Sequence, residues 1–264
     1  IGAAVVAALL EDAQTFVVGV DIVDIDYGVD HDRFVAFKVD VRRSADFRPV
    51  RRFLENKRLF VDALVCAAGV TASGPLTEME EETFGRVLDV NVTGVFKTVR
   101  SFSPVLRPGS VVLPIVSEIA YAYNSAAFNG PYSMSKFALE AYTIALRQEV
   151  RLRGIDVIGV YPGSVNTQLA LRDTVNIERE GPYGNALDRF RGVALDYIES
   201  NGVDPKHVGE AIAHACVHKL WKTSLFINVS MTMQISKYMP QSVLDFLTAM
   251  ILDGFCDNRP CPDV

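Results

Sequence analysis

The sequence predicts an α/β fold in which helices cover both faces of a doubly wound parallel sheet. Short apolar runs rich in β-branched residues alternate with longer segments of helical periodicity, as in parallel strands joined by crossover helices. The chain has 264 residues, 49% of them hydrophobic, which is enough to bury one large core. No internal repeat or low-complexity linker divides it, so residues 1–264 are predicted to form a single domain.

These two kinds of segment give the order of the elements. Strands are predicted at about 16–20, 33–39, 61–66, 110–116, 155–161 and 225–229. Helices are predicted at about 2–12, 78–106, 132–153 and 205–220.

The polar stretch 168–205 interrupts this alternation. It follows the end of a predicted strand, where ligands of open α/β sheets bind, and long loops in compact domains are usually functional. It is therefore predicted to be a substrate lid; the alternative is a surface insertion with a short helix of its own. The residues at about 231–264 are expected to form a C-terminal extension.

Composition limits the partners of the protein. The net charge of −6 and the scattered Lys and Arg residues argue against a nucleic-acid surface. No uninterrupted apolar run reaches membrane-spanning length, since the nearest candidate, 243–252, contains Asp245. We therefore expect small molecules and copies of the chain as partners, no nucleic acid, and a cytoplasmic location. Membrane association through a segment preceding Ile1 stays open.

Cysteine and histidine give little sign of a metal site. Four Cys are too few for a disulfide framework in a chain of this size, which suits a reducing compartment. Cys256 and Cys261 lie in a polar tail without a His partner nearby, so a free tail is favoured over a zinc site. His214 and His218 share a helix face, but no carboxylate or Cys is seen to complete a ligand set. No metal is predicted.

Tyr132 and Lys136 form the most informative pair of side chains. Their i,i+4 spacing places them on one face of a predicted helix, where the ammonium favours the phenolate form of the tyrosine. Tyr132 is therefore a candidate general acid/base. Alone, the spacing favours a packing aromatic residue followed by a solvated cation, so the surrounding motifs must decide.

Five further motifs accompany the pair in a fixed order along the chain: Asp40-Val41, Cys66-Ala67-Ala68-Gly69, Asn91-Val92-Thr93-Gly94, Ser117 and Pro162-Gly163-Ser164-Val165-Asn166-Thr167. Over nearly its whole length the chain thus resembles the short-chain dehydrogenase/reductase superfamily, classical type. Its runs 65–69, 88–92 and 130–140 are most similar to the branch that holds retinol and 17β-hydroxysteroid dehydrogenases. The resemblance implies a Rossmann-like fold and an NAD(P)-dependent oxidoreductase of alcohols and ketones.

The resemblance also implies a catalytic set of Asn91, Ser117, Tyr132 and Lys136. In it Tyr132 exchanges the proton, Ser117 fixes the reacting oxygen, Lys136 lowers the pKa of the phenol and binds the ribose, and Asn91 supports a proton relay through a kinked helix. Ser117 precedes Tyr132 by 15 positions, slightly more than is usual in the family. A small insertion in the loop between them is expected to reshape the substrate wall, and Ser125 within it is a less favoured substitute.

The expected cofactor is NAD, with NADP left open. Asp21 follows a predicted strand, where an acidic residue accepts hydrogen bonds from the adenosine ribose and repels a 2′-phosphate, and residues 1–32 contain seven acids and no Lys or Arg. The family more often has Asn where Cys66 and Ala67 stand. The resemblance implies that Asp21 contacts the cofactor together with thirteen other residues. They are Ile1, Asp40, Val41, Ala67, Ala68, Gly69, Asn91, Tyr132, Lys136, Pro162, Gly163, Val165 and Thr167.

The predicted function is hydride transfer between NAD(H) and a secondary alcohol or ketone, with steroids, retinoids and other lipid-like alcohols as candidate substrates. The alternative is a catalytically silent cofactor-sensing or scaffold protein that keeps the fold. Helices at 78–106 and 132–153 resemble those of the family's dimer seam, which implies a homodimer or homotetramer. Because the family begins with a strand and a glycine-rich turn, the resemblance also implies that both lie upstream of Ile1 and that residues 1–264 alone are poorly stable.

Overall fold

The computed structural model describes residues 1–24, 32–122, 125–167, 169, 183–218, 220 and 222–253. Its strands are β1 (Val17–Asp21), β2 (Phe34–Lys38), β3 (Val61–Cys66), β4 (Leu106–Pro114), β5 (Asp156–Val157), β6 (Gly159–Pro162) and β7 (Ser224–Ile227). Its α-helices are α1 (Gly2–Leu10), α2 (Arg48–Lys57), α3 (Glu81–Leu88), α4 (Val95–Phe102), α5 (Glu118–Ala122), α6 (Gly130–Val150), α7 (Gly184–Asn201), α8 (Pro205–Val217), α9 (Met231–Ser236) and α10 (Gln241–Asp253).

All strand pairs are parallel, which confirms the predicted α/β class. β1 pairs with β2, β4 lies between β3 and β5, and β6 pairs with β7. A bridge between Ile115 and Val160 joins the end of β4 to β6. Val112 and Leu113 of β4 are fully buried, as expected for a central strand covered on both faces.

Helices pack on both faces of this sheet. On one face, α2, α4 and α6 contribute a core that includes Leu54, Phe102 and Leu139. On the other face, α1 and α8 pack against the strands through Val5 and Ile212. The two cores share the sheet and no linker separates them, so the described chain is one doubly wound domain.

A cavity of about 650 Å³ lies between β1 and β3. It is lined by 16–20 and 61–66 from the two strands, by α1 and by α4. Among the described residues, each of these two strands pairs along one edge only, so their facing backbone groups have no strand partner. Such groups are costly when buried, and the helices on either side hold the β1–β2 unit to the rest of the sheet.

Two predicted segments differ from the structure in detail. The predicted strand at 155–161 is divided into β5 and β6. The predicted helix at 78–106 is also interrupted, because a π-helical turn at Asp89–Gly94 separates α3 from α4. π-turns widen a helix locally and are frequent at functional sites.

The predicted lid contains helix α7, while 168 and 170–182 lie outside the described residues. Arg189 on α7 donates a hydrogen bond of 2.7 Å to the carbonyl of Leu252 on α10, so the C-terminal helix packs on this segment. Cys256 and Cys261 lie outside the described residues. Within the described part of the chain, no helix is both long enough and apolar enough to cross a membrane.

The crossing of α1 and α8 generates a stability prediction. A Cβ atom at Gly209 would lie 2.5 Å from the backbone of Ala4, whereas a Cβ at Gly192 would meet nothing within 4 Å. Gly209→Ala is therefore expected to lower the free energy of unfolding by about 1–3 kcal/mol. Gly192→Ala is the matched control in another helix, and its better helix propensity is expected to raise stability by up to about 1 kcal/mol. Urea unfolding midpoints of both variants check this, and equal effects would contradict the tight crossing.

Candidate active site

Three of the predicted catalytic residues lie together at the end of the central strand. Ser117 lies three residues beyond β4, and Tyr132 and Lys136 lie in the first two turns of α6. Nζ of Lys136 donates a hydrogen bond of 2.8 Å to the carbonyl of Ile115 and lies 5.4 Å from the centroid of the Tyr132 ring. The helix face that carries the pair is thereby fixed against the strand end that carries the serine.

The titration of this pair is set mainly by burial. Desolvation raises the pKa of Tyr132, a hydrogen bond with the Ser117 hydroxyl lowers it, and the carboxylate of Glu118 raises it. Burial lowers the pKa of Lys136 to about 8. At neutral pH the phenol is therefore protonated and Lys136 is mostly cationic, so Tyr132 has a proton to donate and a cation that stabilises the phenolate left behind.

Asn91 braces the site from the π-helical turn. Its Nδ2 donates to the carbonyl of Val70 at 2.8 Å and to Oγ of Ser135 at 2.9 Å, and its Oδ1 accepts from the amide of Val70 at 2.8 Å. The side chain is fully buried. It therefore ties the loop after Gly69 to helix α6. The kink expected at Asn91 is confirmed by the π-turn, while the proton relay stays a prediction.

The predicted adenosine contacts lie at the ends of β1 and β2. Asp21 is the last residue of β1, and its Oδ1 accepts a hydrogen bond from the amide of Val23 at 3.3 Å. Asp40 follows β2 and is bonded through both carboxylate oxygens to Arg42, at 2.9 and 2.7 Å. The Arg42 guanidinium holds the pKa of Asp40 below its usual value. The Asp40 carboxylate is thus engaged within the protein, which the sequence did not indicate, and its contact with adenine stays a prediction.

The remaining residues predicted for the cofactor lie after β3 and at the start of α1. Ala67, Ala68 and Gly69 follow β3, and a Cβ at Gly2 would lie 3.7 Å from the Cβ of Ala67. Ile1, at the start of α1, therefore lies close to this run. Small side chains here leave the backbone accessible to a dinucleotide, as a cofactor site requires.

The turn after β6 has room only for glycine. A Cβ at Gly163 would lie 2.0 Å from the carbonyl oxygen of Asn228, and the Gly163 amide donates to Ile227 at 2.9 Å. Val165 forms a bridge with Val203. The amide of Thr167 donates to the carbonyl of Val165 at 2.8 Å, and Pro162 ends β6. These bonds position the turn at the carboxyl end of the sheet, beside the strand end that carries Ser117.

One residue of the site, Glu118, escaped the sequence analysis. It begins α5 directly after Ser117, is only 5% exposed, and accepts hydrogen bonds from Tyr197 and Ser230. Burial raises its pKa. The sequence did contain one signal for this residue: Glu118 is an acidic residue between Ser117 at the strand end and the apolar Ile119. Acidic residues are rarely buried unless they are paired with other groups.

His214 and His218 lie side by side near the C-terminal end of α8. The rings of His214 and His218 lie 4.4 Å apart. Within the described ranges, no group of three or more His, Cys, Asp and Glu side chains is arranged to hold a metal ion.

Comparison with known proteins agrees with this geometry. Residues 1–176 match the family model described as short chain dehydrogenase, so the chain belongs to the short-chain dehydrogenase family. An NAD-dependent oxidoreductase of Mycobacterium tuberculosis is 34% identical over 143 residues, 52% of this chain and 50% of that protein. Rat estradiol 17-beta-dehydrogenase 1 is 32% identical over 152 residues, 58% of this chain and 42% of that protein. The resemblance to a superfamily that includes steroid dehydrogenases is thus confirmed.

Solved structures support the fold. A short chain dehydrogenase from Burkholderia cenocepacia, in complex with NADP, superimposes with a TM-score of 0.67 at 20% identity, covering 95% of this chain and 92% of that one. The chain spans about half the length of these two curated relatives. Membership of an oxidoreductase family that uses NAD(P) follows from the match to the family model.

The buried Lys136 generates a prediction about stability and pH. Because its pKa falls from an ordinary 10.5 to about 8, the unfolded chain binds this proton more tightly than the folded chain. The resulting penalty is complete below pH 8 and disappears as the pH rises toward 10.5, with a slope of at most about 1.4 kcal/mol per pH unit.

Urea unfolding of the wild type and of Lys136→Met between pH 7 and pH 10 measures this slope. The difference in free energy of unfolding is expected to move in favour of the wild type as the pH rises. A difference that stays constant over this range would show that Lys136 is not desolvated in the folded protein.

Proposed function

We propose that this protein transfers a hydride between NAD(H) and a secondary alcohol or ketone. The observation that carries the proposal is the convergence of Ser117, Tyr132 and Lys136 at the end of the central strand, with Lys136 bonded to Ile115. A binding module has no chemical need for a half-buried phenol beside a buried ammonium. When bound, the nicotinamide supplies the hydride acceptor or donor.

In alcohol oxidation, the Tyr132 phenolate takes the hydroxyl proton of the substrate. The Ser117 hydroxyl donates a hydrogen bond to the reacting oxygen and orients it, and the Lys136 ammonium stabilises the phenolate before the proton arrives. In ketone reduction, the Tyr132 phenol gives its proton to the same oxygen. Asn91 holds α6 through Ser135, so the phenol stays aligned with the strand end.

The small residues at 67–69 and at Gly163 fit a dinucleotide, because each brings the backbone to the carboxyl edge of the sheet without a bulky side chain. Asp21 at the end of β1 favours NAD over NADP, since its carboxylate pairs with ribose hydroxyls and repels a phosphate. Ile1, Asp40, Val41, Val165 and Thr167 complete the proposed contacts.

A lipid-like substrate such as a steroid or retinoid is supported by an aromatic group that joins the loop before α6 to the proposed lid. Phe128 lies in the loop between Ser117 and Tyr132, and its ring is 6.0 Å from that of Tyr183 and 5.7 Å from that of Phe190, both in the proposed lid. Phe128 adopts a φ of 57°, which bulky residues rarely do. The loop is thus held against the lid by apolar rings, which suit an apolar substrate.

Self-association is part of the proposal. Phe96 on α4 and Ile144 on α6 are 45% and 41% exposed, and the ring of Phe96 packs edge-on against Tyr142. A second copy placed on these helices would cover both exposed side chains, giving a homodimer or homotetramer. We propose a cytoplasmic location for this assembly.

Tyr132→Phe tests the chemistry. In the full-length protein, this variant is expected to bind NADH as the wild type does and to lose about 10²–10⁴-fold in kcat on a panel of secondary alcohols, because the ring stays and the proton carrier is removed. Tyr142→Phe, on the same helix, is the control and should keep its turnover. NADH fluorescence titration and initial rates give both quantities. Binding of NADH with no wild-type turnover would favour the scaffold alternative.

Asp21→Ser tests the cofactor preference. Removing the carboxylate is expected to weaken NADH binding by about 10–100-fold, the effect of losing a charged hydrogen bond, and to strengthen NADPH binding. Asp156→Ser, at an exposed position of β5, controls for the loss of one negative charge. Tighter binding of NADPH than NADH by the wild type would overturn the choice of NAD.

A further inference from the structure

Glu118 is a buried carboxylate that the proposed chemistry does not use. The Tyr197 hydroxyl donates to its Oε1 at 3.1 Å, and the amide of Ser230 donates to its Oε2 at 3.0 Å. Among the residues that the structure describes, no Lys or Arg forms an ion pair with it. A buried carboxylate held only by neutral donors is expensive, so its position calls for an explanation.

The two donors come from distant parts of the chain. Tyr197 belongs to α7 in the proposed lid, and Ser230 caps α9, where its Oγ accepts a hydrogen bond from the amide of Met233 at 3.1 Å. A Cβ at Gly163 would lie 3.0 Å from Oε2 of Glu118, so the carboxylate also lies against the turn after β6. Three segments around the site therefore meet at the side chain of Glu118, which directly follows Ser117 in the chain.

The side chain also lies on the Tyr132 side of the site, because α5, which Glu118 begins, packs against α6, which carries the phenol. The groups that face the phenol are Ser117 from the end of β4, Glu118 from α5 and Lys136 from its own helix. Those that face Glu118 are Tyr197 from α7, Ser230 before α9 and Tyr132 from α6. An ionised Glu118 disfavours the Tyr132 phenolate, so it opposes the effect of Lys136.

We propose that Glu118 is a positioning residue, which fastens the α7 wall of the substrate pocket and the turn at Ser230 to the catalytic strand end and places a negative charge beside Tyr132. This inference rests on the proposed function. Glu118 would then have two roles. Its hydrogen bonds fix the position of the α7 wall of the substrate pocket, and its charge influences the pH at which the Tyr132 phenol titrates.

Three substitutions separate these roles in the full-length protein. Glu118→Gln removes the charge and leaves one acceptor oxygen for two donors, Glu118→Asp keeps the charge on a shorter side chain, and Tyr197→Phe removes one donor while keeping the ring. Tyr238→Phe, at a residue that is 82% exposed, is the control.

All three substitutions are expected to raise KM about tenfold or more, the effect of losing a hydrogen bond to a charged group. Only Glu118→Gln is expected to move the acidic limb of the pH profile of alcohol oxidation, and it moves to lower pH, because the phenolate forms more readily without the neighbouring charge. A merely structural role would lower the rate at all pH values and leave the limb in place.

Hydrogen exchange of 184–201 gives a readout that does not need turnover. The amides of α7 are expected to exchange faster in Glu118→Gln and Tyr197→Phe than in Tyr238→Phe. Unchanged exchange together with KM values within twofold of the wild type would overturn the fastening role, and an unmoved pH limb in Glu118→Gln would overturn the charge role. Absence of wild-type turnover would instead refute the proposed function, and the exchange measurement would still decide the fastening.

Discussion

The site depends on one hydrogen bond, from Nζ of Lys136 to the carbonyl of Ile115. Ile115 also bridges Val160, so the residue that receives the ammonium is the one that joins two parts of the sheet. A buried ammonium requires a hydrogen-bond acceptor. The Ile115 carbonyl is that acceptor, and it lies between the end of β4 and Ser117. Moving α6 by one turn would leave the cation unsatisfied. The alignment of phenol, cation and hydroxyl is therefore a consequence of sheet order.

Much of the fold was predictable because it rests on local patterns. The apolar, β-branched runs in β1, β3 and β4 lack the periodicity of a helix and therefore predict strands. The i,i+4 spacing of Tyr132 and Lys136 places both residues on one face of a helix. The proximity of Ser117, Tyr132 and Lys136 was expected from the family resemblance, whose motifs place these residues at the end of a strand and in the first turns of a helix. The kink at Asn91 was foreseen because a short polar amide in an apolar helix competes for backbone hydrogen bonds.

What escaped prediction depends on contacts between distant residues. The partners of Glu118 lie 79 and 112 positions away, so no local pattern encodes its role. Arg42 lies beside Asp40 in sequence, yet a charged pair two residues apart in a loop has many geometries, and only the folded chain selects the bidentate one. The break between β5 and β6 likewise depends on which neighbouring strand each half pairs with.

The cavity between β1 and β3 has a consequence for handling the protein. Two parallel strand edges that face each other across an apolar space are templates for any extended segment, including one from a neighbouring molecule. Intermolecular pairing there would bury the same backbone groups that helices shield within one chain. For residues 1–264 by themselves, refolding at high concentration therefore sets strand pairing within one chain against strand exchange between chains, and dilution favours pairing within one chain.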